Sequence, residues 1–237
     1  MIEISNLQKN FGKLKALNSV SVGFGEGEVA MLIGPNGSGK TTLIKCLLGM
    51  VIPDSGEILF NKTSVLREFE YRAQFGYMPQ IGRYPENMRI GQLFDMMKSL
   101  RPKQKNYDEE LIHEFGLDKM QMKKLGTLSG GTRQKVSAAL AFLFEPKVLI
   151  LDEPTAGLDP LATFHLKEKI LRFRKSGGLV LITSHNLSEV EELANRIIFL
   201  VDGHLKFAVT MDEMLTQTKQ NKAGAALAEM LKGYAYE

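Results

Sequence analysis

The chain has 237 residues, a formal net charge of +3 and a single cysteine. That length bounds it to one large domain or one and a half, with ample core, and so mild a charge without a long basic run excludes nucleic acid as a partner indicated by charge. A lone cysteine closes no internal disulfide, which fits a reducing compartment.

Met1-Ile2-Glu3-Ile4 opens with an early acid and no apolar core, so no signal peptide is expected. Ile2 to Ile4 and Ser19 to Phe24 alternate as short strands, with a turn at Asn10-Phe11-Gly12-Lys13 between them. Gly25 to Glu28 turns into an apolar strand, Val29 to Ile33, and a helix runs from Thr42 to Leu48 with Gly49 behind it. Cys46 on that helix reads as a small buried residue. Glu57 to Phe60 and Phe75 to Met78 are strands. From Ile81 to Leu128 helical spacing replaces strand signals, as in Leu93, Met96, Met97 and Leu100. Arg101 to Asn106 connects within this helical insertion, and Met96, Met97, Met120 and Met122 read as helical core packing.

Val136 to Phe144 is helical, and its apolar run, Ala138 to Phe144, is seven residues. A membrane-spanning helix needs about twenty. Val148 to Leu151 and Leu179 to Thr183 read as buried parallel strands. Helices are expected at Leu161 to Arg174 and Leu187 to Asn195, and Arg196 to Leu200 turns through Asp202-Gly203 into Leu205 to Val209. Beyond that lie a helical turn or two from Met211 and a helix over Ala225 to Leu231. His113, His165 and His204 read as surface or packing residues.

Gly34-Pro35-Asn36-Gly37-Ser38-Gly39-Lys40-Thr41-Thr42 lies between a strand and a helix, the context a phosphate-binding loop requires. Small residues let successive N–H groups turn onto an anion, and the helix start adds unpaired donors. Lys40 reaches β- and γ-phosphates, and Thr41 offers a hydroxyl to Mg²⁺. After the apolar strand, Asp152 is placed for the Mg²⁺ shell and Glu153 to deprotonate an attacking water; alone, this could be a strand ending in an acidic turn. Leu128-Ser129-Gly130-Gly131 precedes a helix, either as a capped turn or as a second anion site.

Taken together, these motifs resemble the ABC (ATP-binding cassette) ATPase family, whose signature Leu128 to Gly131 matches. Phe11 sits where that family stacks an aromatic on adenine. Gln80 matches its Gln that senses Mg²⁺ and γ-phosphate, Asp159 in Ala156-Gly157-Leu158-Asp159 matches the loop that crosses its dimer interface, and His185 matches its γ-phosphate histidine. The order and spacing match from Met1 to about Val209. The resemblance implies an α/β fold of the phosphate-loop type: a central, mainly parallel sheet with an antiparallel β subdomain and a helical subdomain. It implies an ATPase domain over 1–210 with the helical part at about 81–145, and a helical tail over 211–237. It further implies ATP and Mg²⁺ as ligands, and a homodimer sandwiching two ATP molecules, each between one chain's phosphate loop and the other's Ser129 to Gly131. A separate multi-span membrane subunit would be the partner, docking near Arg83-Tyr84-Pro85, Leu93, Met96 and Met97, with the chain peripheral on the cytoplasmic face of the membrane.

The signature departs from the family's pattern at Thr132, where Gln is commoner, and Phe11 replaces the commoner Tyr. Within the family, the stretch after Ser129 resembles ATPases of exporters with separate, compact membrane partners, nearest to those that mature the copper site of nitrous oxide reductase. Too few residues separate Thr41 from Ser129 for the long coiled coil of DNA-repair ABC ATPases, and one cassette is not the two of ribosome-acting factors. A soluble ABC ATPase acting on an assembly scaffold, of the iron–sulfur type, stays open as the alternative.

Overall fold

The computed structural model describes residues 1–66, 68–232 and 234. β1 (Ile2–Phe11) and β2 (Leu14–Phe24) pair antiparallel around Gly12-Lys13. Both strands are longer than the expected 2–4 and 19–24, and the expected turn at 10–13 shrinks to its last two residues. Bulges are the reason: buried residues run Ile2, Ile4, then Leu7, because Asn6 at φ 49° inserts an extra step. Ser19 at φ 54° does the same in β2. An inserted residue breaks the two-residue period by which a strand is read.

β3 (Val29–Ile33) is buried throughout and feeds α1 (Lys40–Leu47). β4 (Ser55–Phe60) returns antiparallel to β1, and β5 (Thr63–Ser64) follows through Asn61-Lys62, both at positive φ, closing a four-stranded sheet of order β2-β1-β4-β5. β6 (Phe75–Met78) then enters a second sheet. Three helices fill the expected insertion: α2 (Ile90–Ser99), α3 (Glu110–Glu114) and α4 (Gly130–Phe142). Met97 and Met120 pack on the core as expected, but Met96 and Met122 do not: they are 38% and 70% exposed. Helical spacing shows which face a side chain shares, not whether anything covers that face.

β7 (Val148–Asp152), α5 (Pro160–Lys175), β8 (Leu179–Thr183), α6 (Leu187–Leu193), β9 (Arg196–Val201) and β10 (His204–Thr210) complete a six-stranded sheet of order β10-β9-β3-β8-β7-β6. It is parallel except for β10, which pairs antiparallel with β9. Both faces are covered. Met31, Leu149, Leu151, Val180 and Ile182 meet the helical side, while Ala30, Leu32, Ile150, Leu179 and Leu181 meet α1 and the antiparallel sheet. A sheet buried on both faces needs unbroken apolar runs, which is why β3, β7 and β8 were readable as strands. α7 (Met211–Thr218) starts at a capping box of Thr210 and Glu213, and α8 (Ala223–Lys232) follows. The end of the expected tail, 235–237, and position 233 lie outside the described residues. Among those described, no helix is long and apolar enough to cross a membrane.

Candidate functional site

The parallel strands β3, β7 and β8 end side by side, and the loops beyond their carboxyl ends enclose a cavity of about 250 Å³. Its walls are Phe11 and Ala16 from the antiparallel hairpin, Asn36 to Thr42 from the glycine loop, and Gln80, Asp152, Glu153, Thr183 and His185. Crevices at the carboxyl ends of parallel strands are where open α/β sheets bind ligands.

The loop's shape depends on its glycines. Gly37 and Gly39 have φ of 81° and 102°, and a Cβ on Gly39 would lie 2.4 Å from the Ala16 carbonyl oxygen. Gly34, at φ 149°, leaves no room for a Cβ against the Leu200 carbonyl. The backbone therefore curls tightly into the start of α1, a shape suited to an anion cradle. Lys40 Nζ donates to the Gly34 carbonyl at 2.7 Å and the Pro35 carbonyl at 2.9 Å, which holds the ammonium over the loop. Burial lowers its pKa from the ordinary lysine value, and the Glu153 and Asp152 carboxylates oppose that shift. Gly34 and Pro35 lie behind the cradle and do not line it.

Opposite the loop, the Thr183 hydroxyl donates to Asp152 Oδ1. The two residues are partners in the β7–β8 register. Glu153 follows at φ 51°, a left-handed conformation rare outside glycine, with its N–H bonded to the Thr183 carbonyl at 3.1 Å. Burial pushes the Glu153 carboxyl up; His185 opposes this and Asp152 adds to it. His185 Nε2 stands 3.4 Å from Glu153 Oε1. Phe11, 51% exposed, lies at the mouth, with the Lys9 ammonium 5.6 Å from its ring centroid and Lys9 itself held by Asp54 at 2.7 Å. An exposed aromatic fixed beside a polar cavity is suited to stacking on a heterocycle.

The signature residues stand apart. Ser129 caps α4, accepting from the Thr132 N–H at 3.2 Å, with the Thr132 hydroxyl 2.9 Å away. Ser129, Gly130 and Gly131 are not among the residues lining the cavity. Asp159 caps α5, accepting from the Ala162 N–H at 2.9 Å, and pairs with Lys135 of α4 at 2.6 Å. Three residues that shape this region escaped the sequence reading: Thr183, Gln134 and Glu189. Their signal lies in register and tertiary contact, not in spacing.

Cavity, curled glycine loop and acid-bearing strand end define a nucleotide-binding α/β protein of the phosphate-loop class. The sequence profile described as ABC transporter matches residues 17–156. The lantibiotic transport ATP-binding protein SrtF of Streptococcus pyogenes is 36% identical over 86% of this chain and 89% of its own. A solved structure of an ATP-binding subunit of an ABC transporter superposes with a TM-score of 0.89 at 28% identity, covering 97% of this chain and 98% of the other. A bacterial ABC transporter cassette solved as a dimer shares the fold, with a TM-score of 0.78 at 22% identity over 89% of this chain and 98% of its own. The chain belongs to the ABC transporter family, as one of its nucleotide-binding ATPase chains.

Proposed function

We propose that the chain hydrolyses ATP as a paired cassette whose closing and opening drive a separate membrane subunit. One observation carries this reading. The phosphate cradle, Asp152, Glu153, Gln80 and His185 share one cavity, while Ser129 to Gly131 lie outside it on another helix start. Each site is thus half-built within one chain, and a second copy supplies the signature.

The residues fit MgATP. The glycine cradle suits phosphates, and Thr41 and Asp152 offer hard oxygen donors. Mg²⁺ is usually held by one or two protein oxygens together with the substrate phosphates. When bound, Mg²⁺ would neutralise phosphate charge, held by Thr41 and Asp152. Lys40 and the loop N–H groups of Gly37 to Thr42 hold the phosphates, and Phe11 stacks on the base. Gln80 and His185 would orient the γ-phosphate and the attacking water, and Gln80 would add an oxygen donor for Mg²⁺. Glu153, its carboxyl raised by burial, takes the water's proton. Asp159 lies at the dimer seam beside Lys135.

We read 1–210 as the ATPase domain, with the helical part at 81–145, and 211–237 as a tail. We read a groove of about 520 Å³ lined by Tyr84, Leu93, Met96, Met97, Leu140 and Phe144 as the docking site of the membrane subunit, with the chain peripheral on the cytoplasmic face of the membrane. The cargo follows from the genomic neighbour: a periplasmic copper-site factor beside a multi-span gene would support the nitrous oxide reductase type.

Mixing two variants tests the shared site. Lys40→Ala and Ser129→Arg, each in a Glu153→Gln background, should fail to dimerise with ATP when alone. Mixed, about half the dimers combine an intact loop with an intact signature, and ATP-dependent dimers should appear. A heterodimer with one damaged loop and both signatures intact is the control. If it closes and the mixture does not, the two-chain site is wrong.

A further inference from the structure

Glu189 places an acid on the inner face of α6, 2% exposed, beside the buried Val190 and Leu193. A carboxylate at that depth is costly unless partnered. Its Oε1 accepts from the Thr155 hydroxyl, and its Oε2 is buried with no hydrogen-bond partner among the described residues. Burial pushes its carboxyl up, and the Ser184 hydroxyl opposes the shift. Thr155, which it engages, and the nearby Ser184 are well placed. Thr155 follows Glu153 by two positions, and Ser184, 5% exposed, immediately precedes His185.

β7 and β8 pair only as far as Asp152 and Thr183. Beyond that rung the chain diverges into the Glu153–Asp159 loop on one side and the Ser184–Asn186 loop on the other. Glu153 holds a left-handed backbone, and such a conformation persists only where its surroundings impose it. Its N–H is tied to Thr183 and its carbonyl accepts from Gln134; the next cross-link outward is Thr155 to Glu189. We propose that Glu189 is a positioning residue for hydrolysis: by tying Thr155 to the first turn of α6, where its own N–H bonds the Asn186 carbonyl at 3.1 Å, it sets the separation of Glu153 and His185. This rests on the ATPase reading above.

The test uses the full chain with Thr155→Val, Glu189→Ala, Glu189→Gln and the Thr155→Val/Glu189→Ala double variant. Steady-state ATP hydrolysis and direct nucleotide binding are measured for each. Small displacements of catalytic groups cost up to about a hundredfold, so Thr155→Val and Glu189→Ala should each lower kcat about ten- to a hundredfold. Nucleotide affinity should stay within about twofold, since the cradle is untouched. The double variant should be no worse than the poorer single one. Glu189→Gln should stay within about threefold of the unsubstituted chain, because its amide oxygen still accepts from Thr155. Unchanged kcat in Thr155→Val, additive losses, or Glu189→Gln as impaired as Glu189→Ala would each overturn the proposal. Amide exchange over residues 184–187 without nucleotide separates the two readings: it should rise about tenfold in Thr155→Val. An unsubstituted chain that hydrolyses no ATP would sink the ATPase reading and the catalytic role together, whereas unchanged exchange removes the tether alone.

Discussion

Gln134 Nε2 donates to the main-chain carbonyl of Glu153 at 3.1 Å. Gln134 is buried on α4, five residues after Ser129. The helix proposed to offer its N-terminus to a second copy thus also grips the backbone of this chain's proposed base. Lys135 and Asp159, 2.6 Å apart, make a parallel link one residue along.

Glu153→Gln should bind MgATP with near-normal affinity and hydrolyse it at least about a hundredfold more slowly. The amide keeps the shape but cannot take the proton. Nucleotide binding and phosphate release, measured on one preparation, check this; turnover near that of the unsubstituted chain would remove Glu153 from the role.

Gly131→Ala tests the seam between α4 and the Asp159 loop. An added Cβ would lie 2.4 Å from the Gly157 carbonyl oxygen, a backbone atom that cannot swing away. Overpacking of this kind costs about 1–3 kcal/mol. The variant should melt at lower temperature and lose ATPase activity, while Gly130→Ala, whose Cβ meets nothing within 4 Å, should melt like the unsubstituted chain. Equal melting of the two variants would show that the seam tolerates a Cβ.

Met96→Glu should abolish assembly with the membrane subunit and leave basal ATPase activity within about twofold. Met96 is exposed in the groove, whereas Met97 packs on the core, so a charge at 96 alters the surface without opening the interior. Co-purification with the membrane subunit reads the result. Intact assembly after charges across the whole groove would move the docking site elsewhere.

Cys46 supplies a pH prediction. Burial pushes its thiol up to about 11, above the ordinary value of about 8.5. The folded chain therefore keeps its proton where the unfolded chain loses it, and the thiol's contribution to stability falls as pH rises from about 8.5 towards 11. At pH 8, iodoacetamide should label Cys46 in denaturant but not in the native protein. Native labelling at the rate of a free thiol would contradict the burial.

By itself the sequence determined the chemistry of each loop and the identity of the strands that present them. The glycine spacing at 34–39, the acids after Val148 to Leu151 and the histidine after Leu179 to Thr183 are local facts, because a phosphate cradle and a doubly buried strand impose residue types on consecutive positions. Tertiary structure alone decided what lies across from what. Thr183 faces Asp152 because β7 and β8 pair in one register, and a register couples residues 31 positions apart without marking either. Gln134 and Glu189 look like ordinary helix-surface residues until packing buries them. The bulges at Asn6 and Ser19 hid most of β1 and part of β2, since they break the alternation that reveals a strand. The separation of Ser129 from the cavity, the feature that calls for a second copy, follows from where α4 docks, and no spacing in the chain encodes that distance.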